Sequence, residues 1–392
     1  MSAINHWLLP EGIEEVLPEQ AWRIEKLRRC LLDTYRSWGY QLVITPMIEY
    51  LESLLTGTGN ALDLKTFKLV DQQSGRTLGL RADMTPQAAR IDAHSLKREA
   101  PTRLCYLGTV LHTRPNGFAG SRTPLQVGAE LFGHAGMESD LEIIGLMLET
   151  LRLTGIETVH MDLGHVGIFR ALARDAGLAP EVESDLFDVL QRKAIPEIAG
   201  LLGELDLDHT QGEAFARLAG LHGGREVLES ARELYRGIPP VMAALDNLAA
   251  IGEAVHACWP QLPVNYDLAE LRGYAYHTGV VFAAFAPGCG QEVARGGRYD
   301  KVGEIFGRAR PAVGFSADLK TLMTLGRTQA EAAGAIYAPA QDDPRLVARV
   351  QELRAEGEQV IQGLPGEAGD PHALGCDRRL ELRGGVWEVR EL

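Results

Sequence analysis

The sequence predicts an α+β fold: a mainly antiparallel sheet with flanking helices, a helical insertion, and a small C-terminal α/β domain. Three observations predict it. Strand-like runs come in pairs joined by polar turns, as hairpins do. From about residue 165 to 260 that pattern gives way to apolar residues at helical spacing, broken by Gly, Pro and acidic turns. After a polar stretch, "RTQAEAAG", a strand, a helix, a second strand and a hairpin follow. The expected divisions are residues 1–326, with the insertion at about 165–260, a linker at 327–334, and a terminal domain at 335–392.

Each element has a local reason. Over residues 19–38, Ile24, Leu27, Leu31, Tyr35 and Trp38 recur every three or four positions, and Gly39 ends the helix. "YQLVITPMIEY" is a strand broken at Pro46, and "KTFKLVD" with "RTLGLRAD" is a hairpin across "QQSG". "MTPQAARIDAHSL" is a short helix. Two strands then flank the loop inside "LGTVLHTRPNGFAGSRTPLQVGAELFG" at 107–133. Ser139 with Glu142 forms a capping box for a helix ending near Leu153, and "TVHMDLGH" is a strand. In the insertion, "VGIFRALARDAG", "VESDLFDVLQRKAIPEIAGLL", "GREVLESARELY" and "PPVMAALDNLAAIGEAV" each read as a helix. Strands resume with "VNYDLAEL", "AYHTGVVFAAF", "QEVARGGRYD" and "AVGFS", before the helix "ADLKTLMTL". In the tail, "LELRGGVWEV" is a hairpin on a Gly-Gly turn.

Composition narrows the function classes. With 45% apolar and 23% charged residues the chain is globular, and 392 residues exceed what one core usually serves. A net charge of -14 with no basic patch weighs against a nucleic-acid partner. The five cysteines stand singly, without metal-ligand spacing, so no metal is expected and reduced thiols fit a cytoplasmic location. No leader is visible, and no apolar run is expected to reach the ~20 residues of a membrane span.

Several short stretches are candidates for binding. In "LRADMT", Asp83 and Thr85 open a helix, where both residue types also serve as plain caps. Gln126 and Glu130, four apart in a strand, share one face, with Val127 and Ala129 on the other. That face is either solvated or an inward polar pair that demands partners. "ELRGYAYHTG" gathers Arg272, Tyr276 and His277 around a turn, and an Arg fork suits a carboxylate or phosphate. "ARGGRYDKV" and "RPAVGFSADLKTL" are small-residue strands, not phosphate loops of the Walker type.

Taken in order, "ITP", "RADMT", "LGTV…RP…QVGAELFG", "LRGYAYHTG", "GGRYD" and "PAVGFSADLKTL" resemble the catalytic domain of the histidyl-tRNA synthetase family, a class II aminoacyl-tRNA synthetase. The resemblance covers roughly residues 8–326, with the insertion matching in character alone. It implies a histidine pocket at Asp83, Thr85, Gln126, Glu130, Arg272, Tyr276 and His277. Within it Glu130 would meet the imidazole N–H, Arg272 the α-carboxylate, and Asp83 and Gln126 the amino group. On the nucleotide side, His112 stands where the family has an arginine that clamps the α-phosphate. Arg114, two residues on, is the candidate replacement and is counted with the pocket. Lys320 and Thr321 stand where the family has Glu and an ATP-holding Arg. Adenylate chemistry depends on such fixed cations, so no catalytic residue and no cofactor is expected. A kept amino-acid pocket, altered nucleotide contacts and a short tail together resemble the regulatory-subunit family of ATP phosphoribosyltransferase. That resemblance implies a hetero-oligomer: a homodimer core with a short-form catalytic subunit, responsive to L-histidine. The competing reading is a diverged, active histidyl-tRNA synthetase.

Overall fold

The computed structural model describes residues 7–55, 59–115, 120–271, 273, 276–326, 334–366 and 370–392. Its contacts divide the chain into two compact units, 1–328 and 329–392. The expected linker lies, apart from Gly334, outside the described residues.

The first unit opens with α1 (Pro18–Ser37), which starts on a proline at N1, where its missing N–H costs nothing. Ile24, Leu27, Leu31 and Tyr35 are its buried stripe, and Gly39 stops it at φ +86°, a conformation glycine adopts without strain. Next come β1 (Gln41–Leu42), β2 (Ile48–Tyr50), α2 (Leu51–Leu55), α3 (Gly59–Lys65), β3 (Lys68–Val70) and β4 (Thr77–Leu80). The break at Pro46 sends β1 and β2 into different sheets, and β2, β4 and β3 form a small antiparallel one. Helix α4 (Thr85–Arg90) runs on as a π-turn segment over Ile91–Leu96. Strands β5 (Thr102–Thr109) and β6 (Leu125–Phe132) pair antiparallel, and α5 (Met137–Leu153) and β7 (His160–His165) follow.

Between β7 and the next long strand the chain is helical: α6 (Val166–Asp175), α7 (Pro180–Gln191), α8 (Ile195–Glu204), α9 (His209–Leu218), the short β8 (His222–Gly223), α10 (Glu226–Leu234) and α11 (Pro239–Cys258). Then come β9 (Val264–Asp267), β10 (Val280–Phe285), β11 (Ala294–Arg298), β12 (Ala312–Asp318) and α12 (Leu319–Leu325). The main sheet has nine strands in the order β1-β5-β6-β12-β11-β10-β7-β9-β8. Only the β1–β5 and β7–β9 pairings are parallel, so the predicted antiparallel α+β class holds.

The sheet's two faces differ. Val127, Ala129 and Leu131 of β6, Val313, Phe315 and Ala317 of β12, and Phe282 and Ala284 of β10 pack into the main core with Ile143, Ile144 and Met147 of α5. The opposite face carries a smaller cluster, including Leu104, Tyr106, Phe132, Tyr299 and Met84, and the candidate site. In the second unit, β13 (Ala335–Ala338) pairs in parallel with β14 (Val360–Gln362) and β15 (Cys376–Arg383). Helix α13 (Pro344–Ala355) contributes Leu346, Val350 and Leu353 to the unit's core. Strand β16 (Val386–Glu391) closes the tail hairpin on Gly384–Gly385, both at positive φ, as a primed two-residue turn requires.

Five local expectations are corrected. The capping box at Ser139 and Glu142 is absent, because α5 starts earlier, with Gly136 as N-cap. Ser139 is buried and its hydroxyl donates to Gly136 O at 2.7 Å, while Glu142 accepts from Arg103 and Tyr40. Residues 182–202 form two helices, because Pro196 disfavours helix just before it and Lys193 turns the chain at φ +51°. A helix absent from the sequence reading, α9, begins at a true capping box, Asp208 with Gln211. The strand expected from residue 275 begins at Val280. Finally, α11 is a 20-residue helix apolar enough by length and composition to span a membrane. It packs instead against α6, α5 and β7, with Leu245, Leu248, Ile251 and Val255 buried in the core.

Candidate functional site

The site is built on β6, and strand parity places its side chains. Gln126, Gly128 and Glu130 share the face opposite the main core. Antiparallel register sets Asp318 beside Gln126, Ser316 beside Gly128 and Gly314 beside Glu130. Neither carboxamide nor carboxylate is solvated: Gln126 is 8% and Glu130 1% exposed, which excludes an outer polar face.

A buried carboxylate needs partners, and Glu130 has three hydroxyl groups. Thr85 Oγ1 donates to Oε1 at 2.9 Å, Tyr106 OH donates to Oε1 at 2.8 Å, and Tyr299 OH donates to Oε2. Desolvation nevertheless dominates, pushing the Glu130 carboxyl from its ordinary 4.5 up to about 8, while the hydroxyls pull the other way. Burial, and then the nearby Glu130 charge, hold Tyr106 and Tyr299 well above the usual phenol range. Gly314 makes room for this cage, since a Cβ there would collide with the Glu130 carboxylate. Gly314→Ala is accordingly expected to destabilise the chain by about 1–3 kcal/mol, read as a lower denaturant midpoint.

The "RADMT" segment docks on the same strand. Gln126 Nε2 donates to Asp83 Oδ1 at 2.8 Å, and Met84 N donates to Gln126 Oε1 at 2.9 Å. Asp83 Oδ1 also accepts from Thr85 N at 2.9 Å, which sets the entry to α4. Tyr276 and His277 form an aromatic wall: their ring centroids lie 4.2 Å apart, and Tyr276 meets Tyr299 edge-on at 6.4 Å. Burial pushes the Tyr276 hydroxyl up to about 12.

The structure thus joins Asp83, Thr85, Gln126, Glu130, Tyr276 and His277, directly or through Tyr299. Arg114 is exposed and hydrogen-bonds to none of them among the described residues. Arg272 lies outside the described residues. Sequence reading missed Tyr106, Tyr299 and Gly314 as parts of the site. Parity within "RLCYLGT" puts Tyr106 on the site face, but only the register with Gly128 brings it to Glu130. Nothing in "GGRYD" announces that Tyr299 meets a carboxylate.

On the nucleotide side suggested by the resemblance, His112 is buried. Its Nε2 donates to Ala82 O at 2.9 Å, and Nδ1 has no partner among the described residues. Burial pulls its pKa down, so the ring is neutral near pH 7. Arg122 is spent on the backbone, with Nε to His112 O at 3.1 Å and Nη1 to Glu11 O at 3.1 Å. The Thr321 hydroxyl donates to Asp318 Oδ2 at 2.8 Å. No group of three or more His, Cys, Asp or Glu side chains fit to hold a metal occurs among the described residues.

The comparisons agree with this fold. The histidyl-tRNA synthetase family model matches residues 12–322, and that of the ATP phosphoribosyltransferase subunit HisZ C-terminal domain matches 333–390. An ATP phosphoribosyltransferase regulatory subunit from Thioalkalivibrio sulfidiphilus is 60% identical over 382 residues, covering 97% of each chain. The chain belongs to the ATP phosphoribosyltransferase regulatory subunit family. Another member, from Pseudomonas syringae pv. syringae, is 56% identical over 395 residues and the full length of both chains. A solved structure, an ATP phosphoribosyltransferase regulatory subunit/histidyl-tRNA synthetase from Bacillus halodurans, superposes with TM-score 0.82 at 29% identity, over 94% of this chain and 96% of that one. Histidyl-tRNA synthetase from Nostoc sp. PCC 7120, at 18% identity and TM-score 0.78 over 96% of this chain and 91% of that one, shares the fold. Family membership makes the role regulatory and in histidine biosynthesis, and a diverged synthetase is not favoured.

Proposed function

We propose that this chain is a non-catalytic histidine sensor that activates a short-form catalytic subunit of ATP phosphoribosyltransferase and lets L-histidine switch it off. One observation carries the histidine part: the Glu130 carboxyl, caged by Thr85, Tyr106 and Tyr299, stands in one strand with Gln126, which holds Asp83. A free histidine offers an imidazole N–H to the first group and an ammonium to the second. Arg272, from the resemblance, would take the α-carboxylate, with Tyr276 and His277 walling the ring.

The neutral His112 ring and the committed Thr321 side chain support the absence of adenylate chemistry. Without an arginine at the His112 and Thr321 positions, charge developing on a transferred phosphoryl group loses that stabilisation. An exposed apolar surface supports a homodimer core: Trp22 is 66% and Ile44 88% exposed, and Leu42, Met47 and Ile48 are also uncovered. The expected site of action is the cytoplasm.

The test is co-purification with the short catalytic subunit, assayed with and without histidine. The expected result is activation by this chain and its loss on adding histidine. Coupling of this kind is typically ~1–3 kcal/mol and reciprocal, so the partner's substrates should shift histidine affinity equally. The chain alone should give no histidine-dependent ATP–pyrophosphate exchange. Clear exchange would replace the sensor by an active synthetase.

A further inference from the structure

The floor of the site contains a cation that sequence reading passed over. Register aligns one cross-strand row: Tyr106 of β5, Gly128 of β6, Ser316 of β12, Arg295 of β11 and Ala283 of β10. By parity all five lie on the face that carries Gln126 and Glu130. Most of the positions around Arg295 are small. Ser316 and Ala283 flank it, and Gly314 and Gly297 stand beside one another in the row that holds Glu130. The guanidinium therefore rises from a floor that offers little of its own for it to pack on.

Arg295 is also set among ligand-binding charges. Its side chain is half exposed, yet it lies close enough to Tyr276, Glu292 and Asp83 for each to favour its charged form against the cost of burial. Its Nη1 donates to Glu292 Oε1 at 3.1 Å. Lys65 and His112 feel its charge as well. With Asp83 acidic and Arg295 cationic, the cleft presents both signs, as a zwitterion requires.

Distances along and across the strands decide which part of a ligand it meets. Arg295 lies two residues along, roughly 7 Å, and two strands across, roughly 10 Å, from Glu130. That sets their backbones roughly 12 Å apart, a gap that a histidine and the extended arginine side chain bridge together. We propose that Arg295 reads the α-carboxylate of the bound amino acid above the Gly128–Ser316 floor, setting specificity for a free amino acid over an analogue lacking the carboxylate. The proposal rests on the histidine-site reading. A planar guanidinium can present two N–H groups to a carboxylate, which an amide of similar shape cannot match in charge.

The experiment compares L-histidine with L-histidinol, which keeps the imidazole and amine and lacks the carboxylate, by calorimetry on the full chain and on Arg295→Gln. The wild-type chain should bind histidine more tightly. Arg295→Gln should lose about tenfold in histidine affinity and change histidinol affinity less than about twofold, so the preference collapses. The ratio is read within one protein, so a partly destabilised variant still reports. An unchanged preference, or an equal loss for both ligands, would overturn the assignment of Arg295 while leaving the histidine site intact. A wild-type chain that binds neither ligand would overturn both.

Discussion

Glu130→Gln should stabilise the chain increasingly as pH rises from about 5 to 8, and should weaken histidine binding. The argument starts from burial. In the unfolded chain the carboxyl titrates near 4.5, and in the folded chain at about 8. Below 4.5 both states hold the proton and the group contributes nothing. Between the two values the folded state holds it and the unfolded state does not. Stability must then fall as pH rises, by up to about 1.4 kcal/mol per unit. Above about 8 the loss is complete. Glutamine keeps the shape without the titration, so the difference between variant and wild type isolates the residue. The difference is needed because Asp140, raised to about 6 by burial, tilts stability the same way. His165, lowered to about 4 by burial, tilts it oppositely below its unfolded value. Denaturant midpoints at several pH values check the prediction, and parallel curves would remove Glu130 as a buried titrating group. Glutamine can still accept a hydrogen bond but never ionises, so above about pH 8, where the folded wild type carries the charge, histidine affinity should fall by about 1.5–3 kcal/mol, the worth of a charged hydrogen bond. Alanine is the poorer probe. It would take the Glu130 partner from the buried Tyr299 hydroxyl, costing about 1–3 kcal/mol, and leave Tyr106 with Thr85 as its hydroxyl partner, and so mix stability with binding.

Arg298→Met should be the most destabilising single change outside the apolar core, by about 3–5 kcal/mol. Arg298 lies on the core face of β11, with 9% of its side chain exposed against 2% for Asp140. Its Nε donates to Asp140 Oδ1 at 3.0 Å, and Nη2 reaches Ser139 Oγ at 2.8 Å and Gly136 O at 3.2 Å. Nη1 donates to His134 O at 3.1 Å. One guanidinium thus ties β11 to the first turn of α5 and to two part-buried carbonyls just before it. Methionine would fill much of the space but leave Asp140 buried without its counter-charge. Adding Asp140→Asn should recover part of the loss, because the uncompensated charge is then gone. Chemical denaturation of the two single variants and the double variant measures the coupling. Additive losses would show that the pair does not act as a unit.

Much of the fold was legible because local periodicity follows from backbone geometry within a few residues. The stripe of α1 and its stop at Gly39 needed nothing beyond the 3.6-residue repeat and one left-handed position. The break at Pro46, the Gly384–Gly385 turn and the shared face of Gln126 and Glu130 followed likewise from local rules. The same rules misplaced the start of α5, because Ser139 and Glu142 are claimed by Arg298, Arg103 and Tyr40, all distant in sequence. What tertiary structure alone decided is which polar groups lose water and which partners they find. Glu130 becomes a buried acid because strands β5, β12 and β11 bring Tyr106, Gly314 and Tyr299 around it. Arg295 enters the site because register sets it beside Ser316. Desolvation and register depend on residues far apart in the chain, and no window of sequence contains them.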